Sequence, residues 1–317
     1  MFRPATSARL KPRVAVQEVY VRPFAAMLLF AVATEPALAQ QVHKAKAMPS
    51  FEEMVRMPVV YRLPGMDKAV VRRNLVYKTA GQMPLELDAY LPAGLAPGER
   101  RAAVVFVHGG PVPPELRPKD WGAYVSYGGL AAASGLVGIT FNHRFNSPAQ
   151  LPDAAGDVAE LIEHVRKNAE AFHVDPDRLA VWAFSGGGPF LSATLAERPG
   201  FVRAVVAYYA VLDLQIPPPG QPDTLGPEVG KRFSPVAQLT PGPRPPPPVL
   251  VARAGQDNPF LNKGLERFVH EALVQNVPLD LLNHPEGRHG FDILDDDARS
   301  QEIISRTFEF LRARLGS

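Results

Sequence analysis

Cysteine is absent from the 317 residues, and that single absence excludes disulfides, thiolate metal ligands, a cysteine nucleophile and cysteine-linked lipid anchors. Any covalent chemistry must use another nucleophile. Charge of either sign is also scarce in excess, the formal net value being +2. That small excess comes from residues 1–39, where Arg3, Arg9, Lys11, Arg13 and Arg22 outnumber Glu18 and Glu35. The remainder is close to neutral and carries no basic stripe interleaved with aromatics, so nucleic acid is not an expected partner. The longest apolar run, Phe24–Ala33, has ten residues, about half the ~20 that span a bilayer, and no permanent membrane anchor is expected. The 25 glycines follow no collagen-like period, no solenoid repeat is visible, and no Gly-Lys-Ser/Thr marks a P-loop.

Proline is the opposite case. There are 34, about twice the roughly 5% usual in proteins, and they cluster: four lie in residues 1–39 and twelve in 213–248.

The first 39 residues read as a secretory signal peptide, with a basic stretch to Arg22, the apolar run, and Ala37 and Ala39 as the small residues before a cut after Ala39. A secreted or periplasmic location follows as an expectation. An uncleaved amphipathic targeting segment is the alternative, and no Arg-Arg pair precedes the apolar run to suggest twin-arginine export. Residues 40–68 form an N-terminal arm whose Met54, Val55, Met57, Val59 and Val60 are expected to pack on the body.

From residue 69 the chain alternates short apolar runs with helical patterns. The runs are Val70–Tyr77, Leu85–Leu91, Val104–Val107, Leu136–Phe141, Leu179–Phe184, Val202–Tyr208, Val249–Ala252 and Leu279–Leu282. Val158, Leu161, Ile162, Val165, Ala169 and Phe172 recur at helical spacing and predict a helix over 154–172, capped by Asp153. Ile304, Phe308, Leu311 and Leu315 repeat the pattern at the C-terminus. Strands apolar on both faces that alternate with helices predict an α/β fold, with a mostly parallel central sheet of about eight strands and helices on both faces. The first two runs follow each other directly and are expected as an antiparallel edge. Residues 213–248, rich in proline, show neither helical nor strand pattern and read as an excursion between core elements.

Chemistry concentrates at strand ends. Leu179–Phe184 runs into Ser185-Gly-Gly-Gly-Pro189, a serine on a sharp strand-to-helix turn with small residues, Ala183 and Gly187, two positions either side. The usual pattern is G-x-S-x-G, and here alanine replaces the first glycine. The Gly186 N–H is a candidate oxyanion donor. Upstream, Val104–Val107 leads into His108-Gly109-Gly110-Pro111, whose glycines let a backbone N–H serve as a second donor, and His108 reads as a buried residue holding the loop. A serine hydroxyl needs a base, and the base an orienting acid. Asp257 follows the run 249–252 and His289 follows 279–282. Asp213 is the alternative acid. His284, His289 and Asp292 also admit a metal-ligand reading, with Asp292 otherwise capping or packing its loop. In Asn142-His143-Arg144 a structural ion pair is preferred to a substrate clamp. Trp121, Tyr124, Tyr127, Phe190, Tyr208, Tyr209 and Phe260 lie near strand ends, and about a third of them are expected to face substrate.

On these residues, the chain from about 69 to 317 resembles the α/β-hydrolase superfamily, nearer its esterase, dienelactone-hydrolase-like and prolyl-oligopeptidase-like branches, which share a His-Gly-Gly turn and a late His-Gly-Phe. The resemblance implies an α/β-hydrolase fold in which the Pro-rich 213–248 is a cap or loop insertion. It implies Ser185 as nucleophile, His289 as base and acid, Asp257 as orienter, and the N–H groups of Gly110 and Gly186 as the oxyanion hole. Pro111 stands where some lipases have another glycine, so two donors are expected rather than three. The implied activity is hydrolysis of a small-molecule carboxylic ester through an acyl-enzyme, with no cofactor. A prolyl-oligopeptidase-like exopeptidase and a non-catalytic binding protein on the same fold are the alternatives.

Overall fold

The computed structural model describes residues 48–316 apart from 218–219 and 221–223; the expected signal peptide lies outside the described residues. The strands are β1 (Val70–Ala80), β2 (Met83–Leu91), β3 (Arg101–Val107), β4 (Val137–Phe141), β5 (Val174–Phe184), β6 (Val202–Tyr208), β7 (Val249–Ala254) and β8 (Leu279–His284). They form one sheet in the order β1-β2-β4-β3-β5-β6-β7-β8. β1 runs antiparallel to β2, and β2 antiparallel to β4, while the remaining pairs are parallel. The antiparallel edge expected from two runs without a helix between them is therefore present.

The helices are α1 (Phe51–Met54), α2 (Gly122–Ala133), α3 (Leu151–Lys167), α4 (Leu191–Glu197), α5 (Gly226–Arg232), α6 (Pro259–Val274), α7 (Phe291–Leu294) and α8 (Ala298–Leu315). Strand periodicity sorts them into two layers. In β5, Leu179, Val181 and Ala183 face a core shared with α3, α4 and α6, whereas Ala180, Trp182 and Phe184 face a second core with α2 and α8. Both sets are buried, and each large apolar side chain so placed contributes about 1.5–3 kcal/mol of burial. Val59 of the N-terminal arm is buried in the second core, with Val60 packed beside it. Among the described residues no helix is long and apolar enough to cross a membrane.

Two expectations are corrected, and proline accounts for where each element starts. The helix expected over 154–172 begins earlier, at Leu151, and ends at Lys167, with Asp153 inside its first turn instead of capping it. Pro152 lacks an N–H that the first turn would leave unpaired anyway, so the helix starts ahead of it. The 213–248 segment is not devoid of structure. Pro227 opens α5 and Pro235 opens a 3-10 turn at Pro235–Gln238. Phe233, Val236 and Leu239 are buried in the first core, and the turn packs against α4 and α6.

The antiparallel edge holds a buried ion pair. Lys119 and Asp88 both have fully buried side chains, 2.9 Å apart. Asn74, in the left-handed region at φ 56°, directs its N–H to Asp88 Oδ1 and its own Oδ1 to Lys119 Nζ. The Lys119 N–H donates to Asn142 at the end of β4, so the pair ties residues 117–120 to the edge. Lys119→Met leaves the buried Asp88 carboxylate with Arg73, 3.2 Å from its Oδ2, as its remaining cation, and is expected to lower the urea unfolding free energy by about 2–3 kcal/mol; a loss below about 1 kcal/mol would show the pair to be dispensable.

Candidate active site

β5 delivers Ser185 to the C-terminal edge of the sheet. The serine sits at φ 49°, in the left-handed region that side chains avoid and that persists only where surroundings enforce it. Three glycines do the enforcing. A Cβ on Gly187 would meet the His108 and Val107 carbonyl oxygens at 2.7 and 2.8 Å. One on Gly186 would run into the Gly110 backbone, and one on Gly188 into the backbone of Val211. The Val211 N–H donates to the Ser185 carbonyl at 2.9 Å. The elbow is thus wedged between the 108–110 turn and the loop after β6, main chain against main chain. Among the described residues the N–H groups of Gly110 and Gly186 have no protein acceptor, and the start of the short 3-10 helix Ser185–Phe190 leaves its first N–H groups open by construction.

His289 lies on the loop between β8 and α7, and Asp257 on the loop after β7. His289 Nε2 is 2.8 Å from Ser185 Oγ, and His289 Nδ1 is 2.7 Å from Asp257 Oδ2. An aspartate can only accept, so Nδ1 carries the proton and Nε2 is left to accept from the serine hydroxyl. Asp257 is held in turn by the Asn258 N–H, 2.6 Å from its Oδ1. Asn258 also caps α6. The two loops are bonded to each other, Gly255 N–H to the His284 carbonyl and Gln256 N–H to that of Gly287. A hydroxyl, an imidazole and a carboxylate in hydrogen-bonded series form a proton relay able to activate the hydroxyl.

The competing residues are placed elsewhere. Asp213 bonds Arg267 at 2.6 Å, with Gln215 and Ser234 beside it, away from His289. Arg144 makes a bidentate pair with buried Asp157, a structural ion pair and not a clamp. His284 Nε2 lies against Ser300 and Asp297, and Asp292 accepts from two tyrosines, so His284, His289 and Asp292 each have separate partners. Of the aromatics, Tyr124, Tyr127, Phe190, Tyr208 and Tyr209 are buried, and Tyr209 packs on His289. A cavity of about 410 Å³ between α8 and β7–β8, lined by Leu250, Leu282, Arg306 and Phe310 among others, includes none of the Ser185, His289 or Asp257 side chains.

His108 is buried and braces the 108–110 turn. Its Nδ1 donates to the Gly109 carbonyl at 2.6 Å, and Nε2 accepts the His143 N–H at 3.4 Å. The Gly109 N–H donates to Tyr124 Oη. His143 stacks face to face on His108 with ring centroids 3.6 Å apart, its Nε2 donating to the His108 carbonyl and its Nδ1 accepting from Phe145 N–H. Each ring thus uses one nitrogen as donor and one as acceptor, which only the neutral form can do. This stack was not legible in the sequence, since no spacing rule brings 108 and 143 together.

Burial pushes His143 down to about 3 from its ordinary 6.5, and burial together with His143 holds His108 well below the usual range. An unfolded chain therefore takes up protons that the folded one refuses, and stability present above about pH 6.5 is lost as pH falls toward 3. Urea midpoints measured from about pH 7 to about pH 4 should fall, and His143→Gln should flatten the slope; an unchanged slope in that variant would contradict the assignment.

A family model, BD-FAE, of an α/β-hydrolase-type esterase family, matches residues 87–216, a stretch that holds Gly110 and Ser185 and ends before Asp257 and His289. No curated protein matches the sequence. Among solved structures, the chain is similar to a thermophilic esterase from the Planctomycetes species Thermogutta terrifontis with propionate bound. The two share 22% identity and a TM-score of 0.63 over 79% of this chain and 96% of that one. It is also similar to Thermogutta terrifontis esterase 2 phosphorylated by paraoxon, at 23% identity and a TM-score of 0.61 over 80% and 95%.

Proposed function

This chain has the α/β-hydrolase fold, and on that scaffold we propose an exported serine hydrolase that cleaves carboxylic esters. The observation that carries the reading is the hydrogen-bonded series from Ser185 Oγ through His289 to Asp257, on a serine held at a left-handed backbone. The esterase family model and the esterases among the similar structures support the substrate class.

His289 Nε2 takes the Ser185 proton as the oxygen attacks the ester carbonyl, and the carbonyl electrons move onto oxygen. Asp257 keeps the imidazole in the Nδ1–H form and stabilises the imidazolium. The N–H groups of Gly110 and Gly186 receive the oxyanion, with Gly186 adding the open end of the 3-10 turn. Collapse expels the alkoxide, which leaves as alcohol with the proton from His289. Water, deprotonated by the same histidine, then attacks the acyl-serine and releases the carboxylic acid, restoring Ser185. Export rests on the basic stretch, apolar run and small residues of 1–39.

Ser185→Ala should lower kcat on a short p-nitrophenyl ester by about 10⁴-fold or more with the fold intact, and Asp257→Asn should also lose orders of magnitude. Retained hydrolysis in Ser185→Ala would refute the nucleophile, and faster turnover of a matched peptide p-nitroanilide would move the substrate class from ester to peptide. Expressed in a Gram-negative host, the chain should be recovered outside the cytoplasm with Gln40 as its N-terminal residue; recovery in the cytoplasm with residues 1–39 retained would refute export.

A further inference from the structure

The two hydrogen bonds of His289 both lie along its ring plane, one at Nδ1 and one at Nε2. They fix where the imidazole sits but leave it free to tilt about the line that joins them. One ring opposes that tilt: Tyr209, its centroid 4.7 Å from that of His289 and its plane at 59°.

Tyr209 is held from several directions. It follows β6 at φ 37°, a costly conformation for an aromatic residue, and its N–H donates to the Ala252 carbonyl at 2.8 Å. Its ring meets the edge of Phe291. Its hydroxyl donates to Asp292 Oδ1 at 2.7 Å, while Tyr127 of α2 donates to Oδ2 at 2.6 Å. Asp292 is itself buried, and its carbonyl accepts the Val60 N–H. It lies three residues past His289, across the left-handed Gly290. Tyr209 is therefore clamped to the first turn of α7, directly after the loop whose histidine it supports.

The relay described above makes no use of Asp292, yet a carboxyl group buried this deeply is expensive. Among the described residues no lysine or arginine pairs with it. The groups around it are Tyr127 and Tyr209, with Tyr208 and Tyr124 near, and His289, whose charged form favours its ionisation; burial raises its pKa against these. His289 in turn faces Asp257, Ser185, Tyr209 and the Asp292 side of its own loop. Buried polar groups kept at such cost are expected where function requires them.

We propose that Tyr209 is a positioning residue for His289, anchored by the carboxyl of Asp292 that it shares with Tyr127. The Tyr209 ring stops the imidazole tilting out of the line from Ser185 to Asp257. The inference rests on Ser185 and His289 acting as proposed above.

The test is ester hydrolysis by the full chain, with kcat and KM read separately, in Tyr209→Leu, Tyr209→Phe and Asp292→Asn, with folding checked by thermal unfolding. Tyr209→Leu, which removes the ring, should lower kcat about 10–100-fold with KM nearly unchanged. Tyr209→Phe, which keeps the ring and loses only the hydroxyl, should recover most of that loss. Asp292→Asn, which alters the group that accepts from both tyrosines, should lower kcat with KM nearly unchanged. A folded Tyr209→Leu enzyme with wild-type kcat overturns the proposal, as does a Tyr209→Phe enzyme no better than Tyr209→Leu. If Asp292→Asn does not fold, the Tyr209 pair alone decides. Hydrolysis that survives Ser185→Ala would instead overturn the nucleophile reading; hydrolysis lost there but indifferent to Tyr209→Leu overturns only this inference.

Discussion

Main chain rests on main chain at the end of β5, and the rest of the site follows from that contact. Gly186 and Gly187 press on the backbone of residues 107–110, and Gly188 on that of Val211. No side chain larger than hydrogen fits at any of the three. The contact holds Ser185 in a conformation it would not adopt alone and brings two unpaired N–H groups, from Gly110 and Gly186, to adjoining turns. A strained serine and two open N–H groups beside it thus have one cause.

The sheet supplies the remaining partners by topology. β5 is central, β7 and β8 lie on one side of it, and the parallel arrangement sends the loops after all three to the same edge. Asp257 and His289 arrive there from separate loops that are bonded to each other. The helices on the two faces bury the strands and fix this edge, while the His108–His143 stack braces the 108–110 turn and the buried Lys119–Asp88 pair ties residues 117–120 to the antiparallel edge.

Much of this was legible in the residues. Each of the eight apolar runs is a strand, because strands buried on both faces leave a continuous hydrophobic signal. Ser185, Asp257 and His289 stand out since each follows such a run. What failed were boundaries at proline: Pro152, Pro227 and Pro235 sit in first turns, where the missing N–H costs nothing, so a residue that reads as a breaker acts as a starter. Tyr209 was visible only as one aromatic among seven. Its positive φ and its bond to Asp292 depend on tertiary packing and leave no local pattern. The same holds for the stacked histidines, 35 positions apart.

Whether His289 activates Ser185 is read out by a fluorophosphonate followed by peptide mass spectrometry, because the reagent requires an activated serine and reports its position. One label per chain is expected, on Ser185, formed orders of magnitude more slowly in His289→Ala. No label on the folded protein, a label on another serine, or equal labelling without His289 would contradict it.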